Sequence, residues 1–167
     1  EVQPAALDPG LSICFDGRLD NREELLRDLR ADLGPEPTDL PDSQLVLACY
    51  RRFGDLFAAK LNGDYALALF DMARQQMALA RDVMGVRPLY FLASRDTLVA
   101  ASEIKAILAH PAIDARPDDE ALADLLAGGD PNELHRTLFR DVQRVLPNRN
   151  SKTATPMASR VIDATKS

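Results

Sequence analysis

Four short apolar runs crowd into residues 65–102: "YALALFD", "QMALARD", "LYFLAS" and "LVAAS". The connections between them, "MARQ", "VMGVRP" and "SRDT", are too short for anything but turns, so the four runs are expected to form antiparallel strands. "YALALF" is apolar nearly throughout, as expected of a strand covered on both faces. Small and large side chains alternate along it, which suits close packing between two stacked sheets.

The flanking segments supply helices. "LSICF" is expected to form a strand, followed by a turn over "DGRLDN". Asn21 then stands where it can cap a helix over "REELLRDLRADL", with Glu24 at the capping-box position and Gly34 just past the end. Leu25, Leu26, Leu29 and Leu33 give that helix one apolar stripe. After a proline-rich loop, "GPEPTDLP", Asp42 is expected to cap a second helix, "SQLVLACYRRF", which Gly54 ends. "DLFAAKL" leads to a turn at "NGD", and "SEIKAILAH" and "DDEALADLLAGG" are two further helices, the second with acids in its first turn. From Asn148 onward "NRNSKTATPMASRVIDATKS" has few large apolar residues and no periodicity, and is expected to be a disordered or loosely attached tail. The plan is an α+β domain with helices outside stacked antiparallel sheets.

Composition excludes several function classes. The chain has 167 residues, 46% hydrophobic and 28% charged, an ordinary balance for one domain or most of one. A net charge of −6 argues against a nucleic-acid surface. Arg22, Arg27, Arg30, Arg51 and Arg52 are interspersed with acids and fit a solvated helix face. Cys14 and Cys49 lie in apolar runs without metal or redox spacing, as buried thiols of a cytoplasmic protein would. No apolar run approaches the ~20 residues needed to span a bilayer, so no membrane partner is expected. The opening "EVQPAALDPG" is acidic rather than signal-like and lacks an initiator Met, so the chain is expected to begin mid-protein.

His110 and His135 stand alone, and no metal site is expected at either. Gly128-Gly129 lacks the Lys-Ser/Thr and the preceding strand of a phosphate loop. Asp118, Asp119 and Glu120 fit the start of a helix better than a metal cluster.

The landmarks "FDGRLDN", "PDSQLVLACYRRFGD", "LNGDYALALFD", "LARDVMGVRPLYF" and "ASEIKAIL", in that order, resemble the class II glutamine amidotransferase domain of the asparagine synthetase family. The resemblance runs from about Gln3 to Pro147. It implies a four-layer α/β/β/α sandwich of the N-terminal nucleophile hydrolase type, here incomplete at its N-terminus because the "HRGPD" and "RLS" landmarks have no counterpart. It divides the chain into an amidotransferase-like part, residues 1–110, a linker or start of a synthetase region, 111–147, and the tail, 148–167.

Active members of this family attack glutamine with an N-terminal cysteine whose own α-amine is the base. Glu1 is not cysteine, and internal cysteines lack that amine, so no catalytic residue is expected here. Asp16, Gly17 and Arg18 stand where the family usually has Asn-Gly-Glu, whose Asn and Gly donate to an oxyanion. A carboxylate at 16 would repel that charge. Together with Asn21 and Asp42, the latter at the position that holds the glutamine α-ammonium, these residues are expected to be remnants of a substrate site.

"DGR" in place of "NGE" is similar to degenerate versions of the domain in lasso-peptide cyclases and β-lactam synthetases, which need no ammonia. Arg81, Asp82, Arg87 and Glu103 are assigned by the resemblance to contact with a following synthetase domain, with local turn contacts as the alternative. ATP and Mg are expected in that domain and no cofactor in this chain, whose sequence lacks the family's "SGGxDS" loop. A peptide precursor or a second copy are the other partners expected. A silent docking module with a lasso-peptide cyclase-like parent is the leading expectation. A fragment of an active glutamine-hydrolysing asparagine synthetase comes second, and a free-standing binding protein third.

Overall fold

The computed structural model describes residues 4–8, 10–33, 40–95, 97–129, 134–147 and 150–154. In chain order the strands are β1 (Ala5–Asp8), β2 (Leu11–Leu19), β3 (Gly63–Asp71), β4 (Gln76–Arg81), β5 (Tyr90–Ala93), β6 (Leu98–Ala101), β7 (Val142–Arg144) and β8 (Asn150–Ala154). The helices are α1 (Arg22–Asp28), α2 (Arg30–Leu33), α3 (Asp42–Phe53), α4 (Ile104–Leu108) and α5 (Asp119–Leu126), with a 3-10 helix over Gly54–Lys60. The fold is mixed α/β. A five-stranded sheet runs in the order β1-β2-β3-β4-β8 and a three-stranded sheet in the order β6-β5-β7, with every pairing antiparallel. No helix among the described residues is long and apolar enough to cross a membrane.

The alternation of "YALALF" decides which face meets what. Leu67 and Leu69 of β3 join Ile13, Phe15, Leu25, Leu45 and Phe57 in one apolar cluster, on the side of α1 and α3. Ala66 and Ala68, pointing the other way, cluster with Met77 and Leu79 of β4 and with Leu89, Leu98, Ala100 and Val145 around the smaller sheet. The small side chains of β3 are thus matched by large ones on β4, while Ala78 and Ala80 of β4 face the helices. A third cluster joins Leu92, Val99, Ala101 and Val142 to Ile107 of α4.

The structure departs from sequence expectation in five places. The expected turn at Asp16-Gly17-Arg18 is instead continuous strand, since β2 pairs with β3 from Leu11↔Asp71 to Leu19↔Gly63. Glycine, not a reversal, is what that segment requires. Gly17 has φ +141 and an added Cβ would stand 2.0 Å from the carbonyl oxygen of Asp64, while Gly63 has φ +148 and faces the carbonyl of Arg18 in the same way. Gly63-Asp64 of the "NGD" turn likewise belongs to β3.

The single helix expected over residues 22–33 is broken at Leu29, whose side chain is wholly buried. Asn21 and Asp42 make no capping bond, because each side chain is engaged elsewhere. Finally, residues 150–154, expected in a structureless tail, pair with β4 from Gln76↔Ala154 to Ala80↔Asn150 and so occupy its open backbone edge. Residues 155–167 of that tail, and Gly34 with most of the proline-rich loop, lie outside the described residues.

Candidate functional site

The residues singled out at the start of the chain gather where β2 ends and β3 begins. Asp42, the first residue of α3, accepts the backbone N–H of Leu19 on Oδ2 at 2.9 Å and the guanidinium of Arg22 on Oδ1. Arg22 also donates to the carbonyl of Leu40, so one cation clips the start of α1 to the start of α3. Asn21 donates from Nδ2 to the carbonyl of Lys60 at 2.9 Å and accepts the N–H of Asn62 on Oδ1 at 3.0 Å. These bonds tie the β2 exit to the β3 entry, beside the backbone bond from Asp20 N–H to the Asn62 carbonyl at 2.8 Å. Arg18 is 70% exposed and pairs with Asp20 at 3.1 Å and Asp64 at 3.4 Å. Asp16 pairs with Arg87 at 3.6 Å, linking this cluster to the next.

Arg81 ends β4 and Asp82 opens the loop 82–89, and both are nearly wholly buried. Arg81 donates to the carbonyls of Gly85 and Arg87 at 2.6 Å each and of Val145 at 2.9 Å. Asp82 accepts the N–H groups of Val86 at 2.8 Å and Arg87 at 3.2 Å. Burial pushes the Arg81 guanidinium below its ordinary value, and the neighbouring Asp82 charge opposes that shift. Within this chain their contacts hold the loop. Glu103 is exposed, stands just before α4 without capping it, and pairs with Lys105 at 2.6 Å.

The cysteines are dissimilar. Cys49 is buried in α3, donates to the carbonyl of Phe57 at 3.7 Å, and burial pushes its thiol up to about 12. Cys14, half-buried in β2, lines a cavity of about 200 Å³ with Pro4, Ser12, Phe70 and Met77. Among the described residues no group of His, Cys, Asp or Glu could hold a metal ion. Asp118 caps α5 by accepting the Ala121 N–H at 3.1 Å, and Arg136 grips both of its oxygens at 2.9 and 2.6 Å and reaches Glu120 at 2.7 Å. The Arg136 hydrogen bonds, followed by the Ala121 N–H, hold the Asp118 carboxyl below its ordinary value.

Two partnerships were invisible in the sequence. Arg22 reaches Asp42 across twenty residues. Tyr50 donates to the buried Asp71 at 2.9 Å, and Asp71 also accepts the Arg74 N–H at 3.0 Å. Neither pair has a helical or turn spacing that would have flagged it. The Asp118–Arg136 pair was open to inference only on its Asp118 side, as a helix start.

Residues 2–160 match the family described as the glutamine amidotransferase domain. Over 136 residues, 81% of this chain and 22% of the relative, the sequence is 32% identical to asparagine synthetase [glutamine-hydrolyzing] 3 of Bacillus subtilis (strain 168). It is 35% identical over 106 residues, 64% of this chain and 15% of the relative, to amidase chyE of Penicillium rubens. Among solved structures it resembles the glutamine phosphoribosylpyrophosphate amidotransferase from B. subtilis, with a TM-score of 0.45 and 24% identity over 59% of this chain and 23% of that one. The chain spans about a fifth of the length of the asparagine synthetases it matches. It belongs to the glutamine amidotransferase domain family.

Proposed function

We propose that this chain is the amidotransferase-like portion of an asparagine synthetase-family, ATP-dependent amide-forming protein, and that it is itself catalytically silent. The observation that carries the reading is the state of Asp42. Both of its carboxylate oxygens are occupied, by the Leu19 N–H and by a guanidinium from its own chain. A substrate ammonium arriving there meets a carboxylate whose charge is already shared with Arg22. Asp16, at the position expected to donate to an oxyanion, is instead an acceptor paired with Arg87. Cys49 offers no thiolate at neutral pH, because its pKa lies far above it.

On this reading the three apolar clusters are the three interfaces of a four-layer α/β/β/α sandwich. Residues 1–110 form the amidotransferase-like part and 111–147 lead toward a synthetase portion that carries ATP and Mg. The parent is a lasso-peptide cyclase-like ligase, supported by Asp-Gly-Arg in place of Asn-Gly-Glu.

A second reading has one observation in its favour. The relatives include several proteins named as glutamine-hydrolysing asparagine synthetases. This chain is then part of an active one, with its nucleophile upstream. Ammonia release from L-glutamine by the full-length gene product separates the two. The silent reading expects none above a protein-free blank. Release that disappears on Asp42→Asn establishes the second reading instead.

A further inference from the structure

The two edges of the larger sheet are finished differently. At one edge, β1 is four residues long, its register shifts between Ala6 and Asp8, and Gln44 of α3 donates to the Ala6 carbonyl at 3.0 Å. A short, irregular edge strand is a poor template for another chain. At the other edge, β4 is regular and pairs with β3 without a break from Ala66↔Arg81 to Asp71↔Gln76. Residues 77–81 are all buried, Met77 and Leu79 toward the smaller sheet and Ala78 and Ala80 toward the helices. Sheets keep such a strand in their middle, because its unpaired side would offer a straight row of N–H and C=O groups between two apolar faces. Among the described residues only β8 stands outside it.

β8 differs from the strand it covers. Its sequence, Asn-Ser-Lys-Thr-Ala, has no large apolar residue and includes a lysine, a residue type that discourages further pairing at an edge. Its pairings run from Gln76↔Ala154 to Ala80↔Asn150 and so cover nearly the whole of β4. It is tethered beside its place: Arg81 donates to the Val145 carbonyl, Val145 donates to the Leu89 carbonyl at 2.9 Å, and β8 begins five residues after Val145. So short a tether gives a weakly held strand a high local concentration.

We propose that residues 150–154 are an edge guard, which keeps β4 from pairing with β4 of a second copy of this chain. What β4 requires of a partner selects that occupant. A strand that continues both buried faces has to be apolar on both, a requirement that Asn-Ser-Lys-Thr-Ala does not meet and the sequence of β4 does. Set antiparallel to itself about the middle of Ala78 and Leu79, β4 places Met77 opposite Ala80 and Gln76 opposite Arg81. Large then meets small, and no like charges face each other. Such a contact is isologous and closes as a dimer. The outer strand of the smaller sheet, β6, is wholly buried and offers no comparable edge.

The test introduces Ser151→Pro and Lys152→Pro, one at a time, into the full 167-residue chain. Successive N–H groups of a strand point to opposite edges, so one substitution removes a bond to β4 and the other falls on the solvent side, where proline is tolerated. Light scattering over a dilution series reads the mass, and hydrogen exchange reads the β4 amides that face β8. The unsubstituted chain is expected at 18.3 kDa throughout. One variant is expected to reach twice that mass at the highest concentration, with those amides unprotected in the dilute monomer and protected in the dimer. The other is expected to behave as the unsubstituted chain. A dimer whose β4 amides exchange freely overturns the proposal, as do two monomeric variants, or dimerisation of both variants or of the unsubstituted chain. Unfolding of either variant overturns it too, by making β8 an indispensable strand, and open-ended aggregation does so by excluding a closed contact.

Discussion

The end of β2 and the loop after β4 use the same residue types, Arg and Asp, in opposite ways. At the end of β2, Arg18, Asp20 and Asp64 pair on an exposed surface, where each ion pair contributes little. In the loop, Arg81 and Asp82 are buried and each bonds to several backbone groups. The β2 end owes its close strand approach to backbone contact between Gly17 and Gly63 and the facing strands, and the exposed charges Arg18, Asp20 and Asp64 decorate it. The loop owes its shape to the charges themselves. Counting charged residues therefore says little about either region; what each charge touches says nearly everything.

Substitutions can break this comparison. Gly17→Ala should have the largest effect, about 3 kcal/mol lost in a urea unfolding series, because the new methyl meets the Asp64 backbone and the φ is unfavourable for any L side chain. A near-neutral result would mean that the β2–β3 approach is not fixed by backbone sterics. Arg81→Ala comes next, at about 2–3 kcal/mol, since three carbonyls lose a charged donor in a buried place. Asn21→Ala should cost about 1 kcal/mol through its bonds to Lys60 and Asn62, even though it caps nothing. Arg18→Ala should move the unfolding midpoint least, within about 0.5 kcal/mol. If Arg18→Ala costs more than Arg81→Ala, the contrast between the regions is wrong.

The architecture was more legible in the sequence than the site. The four runs between 65 and 102 became β3 to β6 nearly residue for residue, because apolar runs between turn residues report burial directly. The Asp-Gly signal at 16–17 misled, because a glycine that permits close strand approach and one that permits a turn look alike in sequence. Asn21 and Asp42 were found as important positions and given the wrong local role. Capping is a short-range inference, and the real partners, Asn62 and Arg22, lie 41 and 20 residues away. Arg22 itself was passed over as a solvated charge, since nothing near it in sequence marks it as the partner of Asp42. The strand at 150–154 was missed for a related reason: it is specified by the open edge of β4 rather than by any apolar pattern of its own.

The central claim is that the Asp42 carboxylate is occupied from within. Isothermal titration of L-glutamine into the purified chain, repeated with Asp42→Asn, tests it most directly. No saturable heat with either protein is the expected result. Saturable one-to-one binding to the unsubstituted chain that Asp42→Asn abolishes would contradict it, and would make Arg22 a gate that glutamine opens.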